Sequence, residues 1–105
     1  MPKGFEMTHE NIGTGKPALV FIYDPNLEVS ISQTEQMNKA RDQLGDQVLF
    51  LIANIGTPDG DKLIAEHQAN PSELLFFAPS GKLIKRQFAL RNSSELIQWF
   101  EVGEP

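Results

Sequence analysis

"PALVFIYDPNLEVSISQTEQMNKARDQLGDQVLFLIANIG", residues 17–56, changes its hydrophobic period twice. Residues 17–24 are a near-continuous apolar run of strand length, the pattern of a strand buried on both faces. The following segment steps by three or four. Leu27, Ile31, Thr34, Met37, Ala40 and Leu44 make the inner face of a helix, and Gln33, Glu35, Asn38, Lys39, Asp42 and Gln43 make the outer one. Ser32 with Glu35, and Ser30 with Gln33, have capping-box spacing, while Gly45 is a natural C-terminal stop. Residues 47–56 are apolar throughout again. Two buried strands joined by one amphipathic helix predict a βαβ unit with parallel strands and a right-handed crossover.

Downstream, "TPDGDKLIAEHQ" (57–68) reads as a short helix, with Thr57 as cap, Pro58 as first helical residue, and Leu63, Ile64 and His67 as the inner stripe. Residues 70–90 hold two strands joined by the turn Pro79-Ser80-Gly81-Lys82, which makes them antiparallel. In the second of these, Ile84, Phe88 and Leu90 alternate with Lys85, Gln87 and Ala89, and Arg86 interrupts the apolar side as a residue at the sheet's rim would. "NSSELIQWFEVG" (92–103) closes the chain as a helix with Asn92 at the cap, Glu95 in its third position, and Leu96, Ile97, Trp99 and Phe100 buried. Residues 1–15 are polar with isolated Phe5, Met7 and Ile12, an arm or short edge strand ahead of a single domain at 16–105. The expected fold class is α/β, in the order β-α-β, then α, then β-β-α, with a mixed central sheet flanked by helices.

Composition bounds the function. A chain of 105 residues fits one domain, and 40% hydrophobic with 22% charged residues describes a globular one. The net charge of −5 speaks against nucleic acid, whose phosphates need clustered Lys and Arg, and the Lys82–Arg86 run is interrupted by Leu83 and Ile84. No stretch has the roughly 18 apolar residues of a membrane span. Residues 1–16 lack the apolar core of a signal peptide. Cytoplasmic is the default compartment, with periplasmic or secreted as the reading if a signal has been trimmed. There is no cysteine, so disulfides, thiolate catalysis and cysteine metal sites are excluded.

The element order resembles the thioredoxin family, and three segments carry the likeness. "KPALVFIYD" is similar to the central strand before the family's active site, "NPSELLFF" to its cis-proline segment with Pro71 as the proline, and "APSGKLI" to the hairpin that follows. The resemblance spans residues 16–103 and implies a thioredoxin-like fold. It also implies a Cys-x-x-Cys pair at the mouth of the first long helix, which would fall on Leu27 and Ser30, and a buried acid near Phe21. Thiol exchange needs a thiolate, whose pKa a helix N-terminus lowers, and neither leucine nor serine offers one. Were Ser30 the stand-in for a cysteine, single-cysteine chemistry would reopen, but Leu27 holds the attacking position. A member without the pair is expected to be redox-inactive and not an enzyme.

The resemblance further implies that the residue before the cis-proline presents free backbone groups to extended peptides. On that reading Tyr23, Asp24, Leu27, Asn70, Pro71 and Ser72 form a peptide groove, and the domain is a non-covalent protein- or peptide-binding or chaperone-like module that acts without a cofactor. The residues themselves give the loop 23–32 turn and cap chemistry, with Asp24-Pro25-Asn26 as the turn. An enzyme of another kind, using external thiol or bound glutathione on the same proline segment, is the competing class, and a structural fragment of a larger protein is the third.

Other constellations carry less. His9, with Glu6 and Glu10 nearby, and His67 lack the converging ligands a metal needs. Asp59 and Asp61 fit a helix's first turn better than a calcium loop. "NIGTGK" (11–16) precedes a strand where a phosphate loop would follow one. Ser30, Ser72 and His67 have no nucleophile elbow.

Overall fold

The computed structural model describes residues 12–102, so most of the expected N-terminal arm at 1–15, and His9 with it, lies outside the described residues. The elements are β1 (Ala18–Tyr23), α1 (Glu28–Leu44), β2 (Leu49–Asn54), α2 (Pro58–His67), β3 (Glu73–Phe77), β4 (Leu83–Phe88) and α3 (Ser93–Val102). They follow the expected order. The four described strands form one sheet in the order β2-β1-β3-β4. β1 runs parallel to β2, with Ala18 opposite Leu49 and Tyr23 opposite Asn54. It runs antiparallel to β3, and β3 antiparallel to β4. The sheet is therefore mixed.

β1 is buried along its whole length because helices cover both sides of the sheet. On one side Leu19, Phe21, Phe50, Ile52, Leu74 and Phe76 pack with Met37 and Ala40 of α1 and with Leu96 and Trp99 of α3. On the other, Val20, Ile22, Leu51, Leu75 and Phe77 pack with Leu63 of α2. Burying a phenylalanine such as Phe21 or Phe76, both essentially inaccessible, contributes roughly 1.5–3 kcal/mol. His67 leaves the α2 stripe half-buried, its ring edge-on to Phe77 at 5.2 Å.

Three sequence expectations are corrected. The capping boxes at Ser30 and Ser32 do not form. α1 begins at Glu28 with Leu27 at the N-cap, and no side chain caps it. The inner face of its first turns is also rotated: Ser30 and Gln33 are buried, while Leu27 and Ile31 are 39% and 54% exposed. Polar groups take the inner places because each finds a buried hydrogen-bond partner there (described below). Finally, Phe88 and Leu90, expected on the covered side of β4, are both 53% exposed. Phe76 pairs with Lys85 but Phe77 pairs with Leu83, so Ile84 is an extra residue in the ladder. Such a bulge shifts the alternation by one, which sends Phe88 to the face opposite Ile84, where it is left exposed.

Candidate functional site

β1 and β2 end at the same rim where β3 begins and β4 ends. The links after β1, β2 and β4 lead there into α1, α2 and α3, and the link from α2 returns there to β3. A rim at the carboxyl ends of parallel strands is where α/β folds commonly place ligands.

The loop after β1 is a turn, as its sequence implies. The Asn26 amide donates to Asp24 Oδ1 at 2.9 Å and the Leu27 amide to the Asp24 carbonyl at 3.1 Å. Ser30 faces inward, and its Oγ accepts from the Asp24 amide at 3.1 Å. Its hydroxyl thus ties the loop to the helix from inside. Tyr23 is the last residue of β1 and is buried, its ring edge-on to Phe21 at 6.4 Å.

Pro71 is not a cis-proline. The one cis peptide bond among the described residues joins Ala89 to Leu90, so the Asn70–Pro71 bond is trans. The reason is the turn that surrounds it. The Glu73 amide donates to the Asn70 carbonyl at 3.1 Å, and Ser72 has φ 69°. Proline second and a positive φ third describe a type II turn, whereas a cis-proline takes the third place of a different turn. The same turn occupies Asn70's backbone. Its carbonyl accepts from Glu73, and its amide donates to Glu73 Oε1 at 2.9 Å. Ser72 instead joins the strands, with its amide on the Ile22 carbonyl at 3.0 Å and its carbonyl accepting from the Ala89 amide at 2.9 Å.

Glu73 is the anchor of this turn. Its side chain is 6% exposed and meets Arg86 through Nε at 2.8 Å and Nη2 at 2.9 Å. Arg86 also reaches the carbonyls of His67 and Gln68 at the end of α2, at 2.9 and 3.2 Å. Burial raises the Glu73 pKa, but Arg86's hydrogen bonds and charge, with the Asn70 amide, outweigh it and hold the carboxyl below its ordinary value.

Across the rim, the corner after β4 is clamped to α1. The buried amide of Gln33 donates to the Arg91 carbonyl at 2.8 Å and accepts from the Arg91 amide at 2.7 Å. Gln36 Oε1 accepts from the Ser93 amide at 3.0 Å. Sequence reasoning placed Gln33 on the outer face and so missed it. The signal was present in Ser30, Gln33 and Thr34, polar residues spaced i, i+3 and i+4 on a single helix face. Among the described residues no group of three or more His, Asp or Glu could hold a metal ion, and no helix is long and apolar enough to cross a membrane.

No family model matches the sequence, and no curated protein is similar to it. Solved structures are similar in fold. An uncharacterised thioredoxin-like protein from Clostridium perfringens matches with TM-score 0.81 at 10% identity, over 92% of this chain and 78% of that one. This is a thioredoxin-like fold. Thioredoxin-2 of the malaria parasite, a component of its protein secretion machinery, matches with TM-score 0.74 at 11% identity, over 82% of each chain. The exposed lipoprotein thioredoxin Etrx1 of Streptococcus pneumoniae matches with TM-score 0.73 at 14% identity, over 85% of this chain and 86% of that one. In the thioredoxin-like domain of this chain Leu27 and Ser30 stand at the mouth of α1 and no residue is a cysteine, so it holds no dithiol couple of its own.

Proposed function

We propose that this thioredoxin-like domain binds a protein or peptide partner non-covalently, at the rim formed by Tyr23, Asp24, Leu27, Asn70, Pro71 and Ser72, and catalyses no reaction. The observation that carries the reading is the outward display of Leu27, Ile31, Phe88 and Leu90, while the other large apolar side chains among the described residues are buried or partly buried. Large exposed apolar side chains gathered at one end of a monomer mark interaction sites more often than single scattered ones do. The Ser72 amide donates to the Ile22 carbonyl and the Ser72 carbonyl accepts from the Ala89 amide, which ties the Pro71 turn to the end of β1 and to the corner after β4. Tyr23 is buried at the end of β1, and Pro71 stands exposed on its turn.

The test is backbone chemical-shift mapping of the whole chain against an unfolded protein fragment and against glutathione, beside an insulin-reduction assay. The expected result is shifts at Leu27, Ile31 and Leu90 with the fragment, and no reduction above background. Shifts confined to glutathione, or turnover of insulin, would refute the proposal in favour of a thiol-dependent enzyme.

A further inference from the structure

Resting on that proposal, we infer that the partner segment is cationic as well as apolar, and that side chains rather than main-chain pairing recognise it. Two independent observations meet here. The first is the saturation of Asn70: its amide and carbonyl both belong to Glu73. A strand laid beside the Pro71 turn would find no free amide on that residue and a carbonyl already engaged, so strand addition there requires breaking the Asn70–Glu73 hydrogen bonds. β4, the edge strand beyond, offers little more, because a bulge at Ile84 and the charged Lys85 and Arg86 guard it.

The second observation is the distribution of charge around the apolar face. Leu27 and Ile31 are neighbours on α1 at i and i+4, with Asp24 and Glu28 beside them. Glu28 has no cationic partner among the described residues. Asp59 and Asp61 stand in the first turn of α2 at the same rim. The arginines near the site are already neutralised: Arg86 by Glu73, and Arg91 by Glu95 at 3.3 Å. Arg91 is further held by Gln87 and the Phe88 carbonyl. Lys62 on α2 and Lys39, more than two turns along α1 from Leu27, are the nearest other cations in the chain order of the rim elements. Three helix N-termini also point here and offset roughly half a charge each, which reduces the negative potential without reversing it. Lys16 and Lys82 sit at the far end of the sheet, where the Gly15 amide bonds the Pro79 carbonyl. An apolar face framed by unpaired carboxylates complements a segment that interleaves apolar residues with Lys or Arg, and the field steers such a segment toward it.

The test compares three synthetic peptides with the same alternating leucines, separated by lysine, by glutamate or by serine. Binding to the full chain is measured by fluorescence anisotropy and located by amide shifts. The lysine peptide is expected to bind at least about tenfold tighter than the glutamate peptide at low salt, with the ratio shrinking as ionic strength screens the rim. Glu28→Lys is expected to weaken it about three- to tenfold, while Asp42→Lys, the same charge change near the far end of α1, leaves it nearly unchanged. Equal affinity for all three peptides overturns the inference and leaves the binding proposal standing. Equal loss in the two charge variants shows mere net-charge attraction and also overturns it. Loss of the Asn70–Glu73 hydrogen bond on binding overturns the side-chain mode. Failure of every peptide to bind removes both proposals.

Discussion

Helices α1 and α2 start at the same rim in opposite ways. At α2, Thr57 Oγ1 accepts from the Gly60 amide at 3.2 Å and donates to the Asn54 carbonyl at 2.7 Å, Pro58 opens the first turn, and Asp61 accepts from the Gly56 amide. Gly60 lies so close to β2 that an added Cβ would stand 2.2 Å from the Asn54 carbonyl oxygen. Thr57 and Asp61 there both bond the chain's own backbone. At α1 the N-cap is an exposed leucine, no side chain caps the helix, and the buried serine looks inward to Asp24. A capping Ser, Thr, Asp or Asn typically contributes about 1 kcal/mol. The α2 start is organised for stability, whereas the α1 start forgoes a cap and keeps two apolar side chains in water.

Substitutions can break or sharpen this contrast. Gly60→Ala drives a methyl into the β2 backbone. It is expected to cost about 3 kcal/mol and lower Tm by more than about 12 °C in calorimetry; a loss under about 1 kcal/mol would mean α2 is not tightly seated. Gln33→Ala strips both hydrogen bonds from the Arg91 backbone and should cost about 2 kcal/mol in urea unfolding, while loosening the Leu90 corner in amide exchange. If that corner's exchange is unchanged, the clamp does not hold the α1 side of the rim in place.

Glu73→Gln should cost about 1 kcal/mol near neutral pH, discounted because Arg86 is 36% exposed. The sign of its pH dependence follows from the carboxyl being held below its ordinary value of 4.5 in the folded state. The stabilisation is complete above 4.5 and is lost as pH falls through the lower folded-state value. The variant should therefore show a shallower acid limb, and wild-type and variant curves that stay parallel below pH 4.5 would contradict the assignment. Smallest is Leu27→Ser, which supplies the missing cap. It is expected to raise stability by about 0.5–1 kcal/mol and to weaken peptide binding, and a stable variant with unchanged binding would show the exposed leucine to be idle.

The fold was legible because its signals are long. Unbroken apolar runs at β1 and β2 permit little but buried strands, Thr57-Pro58 marks a helix start by its own chemistry, and Pro79-Ser80-Gly81-Lys82 is a turn by composition. The candidate site was less so, since it depends on register and pairing across the chain. A helical wheel puts Leu27 and Ile31 inside because it cannot know that Gln33 has a backbone 58 positions away to clamp. Alternation puts Phe88 inside because nothing local announces the bulge at Ile84. The proline was found, but whether it sits second or third in its turn was decided by Glu73 and Arg86.

That turn bears on whether dithiol chemistry could be installed in this frame. Writing cysteines at Leu27 and Ser30 would supply sulfur, yet the thiol at 30 would sit fully buried, in the place of a hydroxyl that holds the Asp24 amide. A protein substrate would meet an Asn70 whose hydrogen bonds are already committed. Installing that chemistry thus demands remaking the anchor around Glu73 together with the dithiol, so several coupled positions rather than two separate this arrangement from thiol exchange.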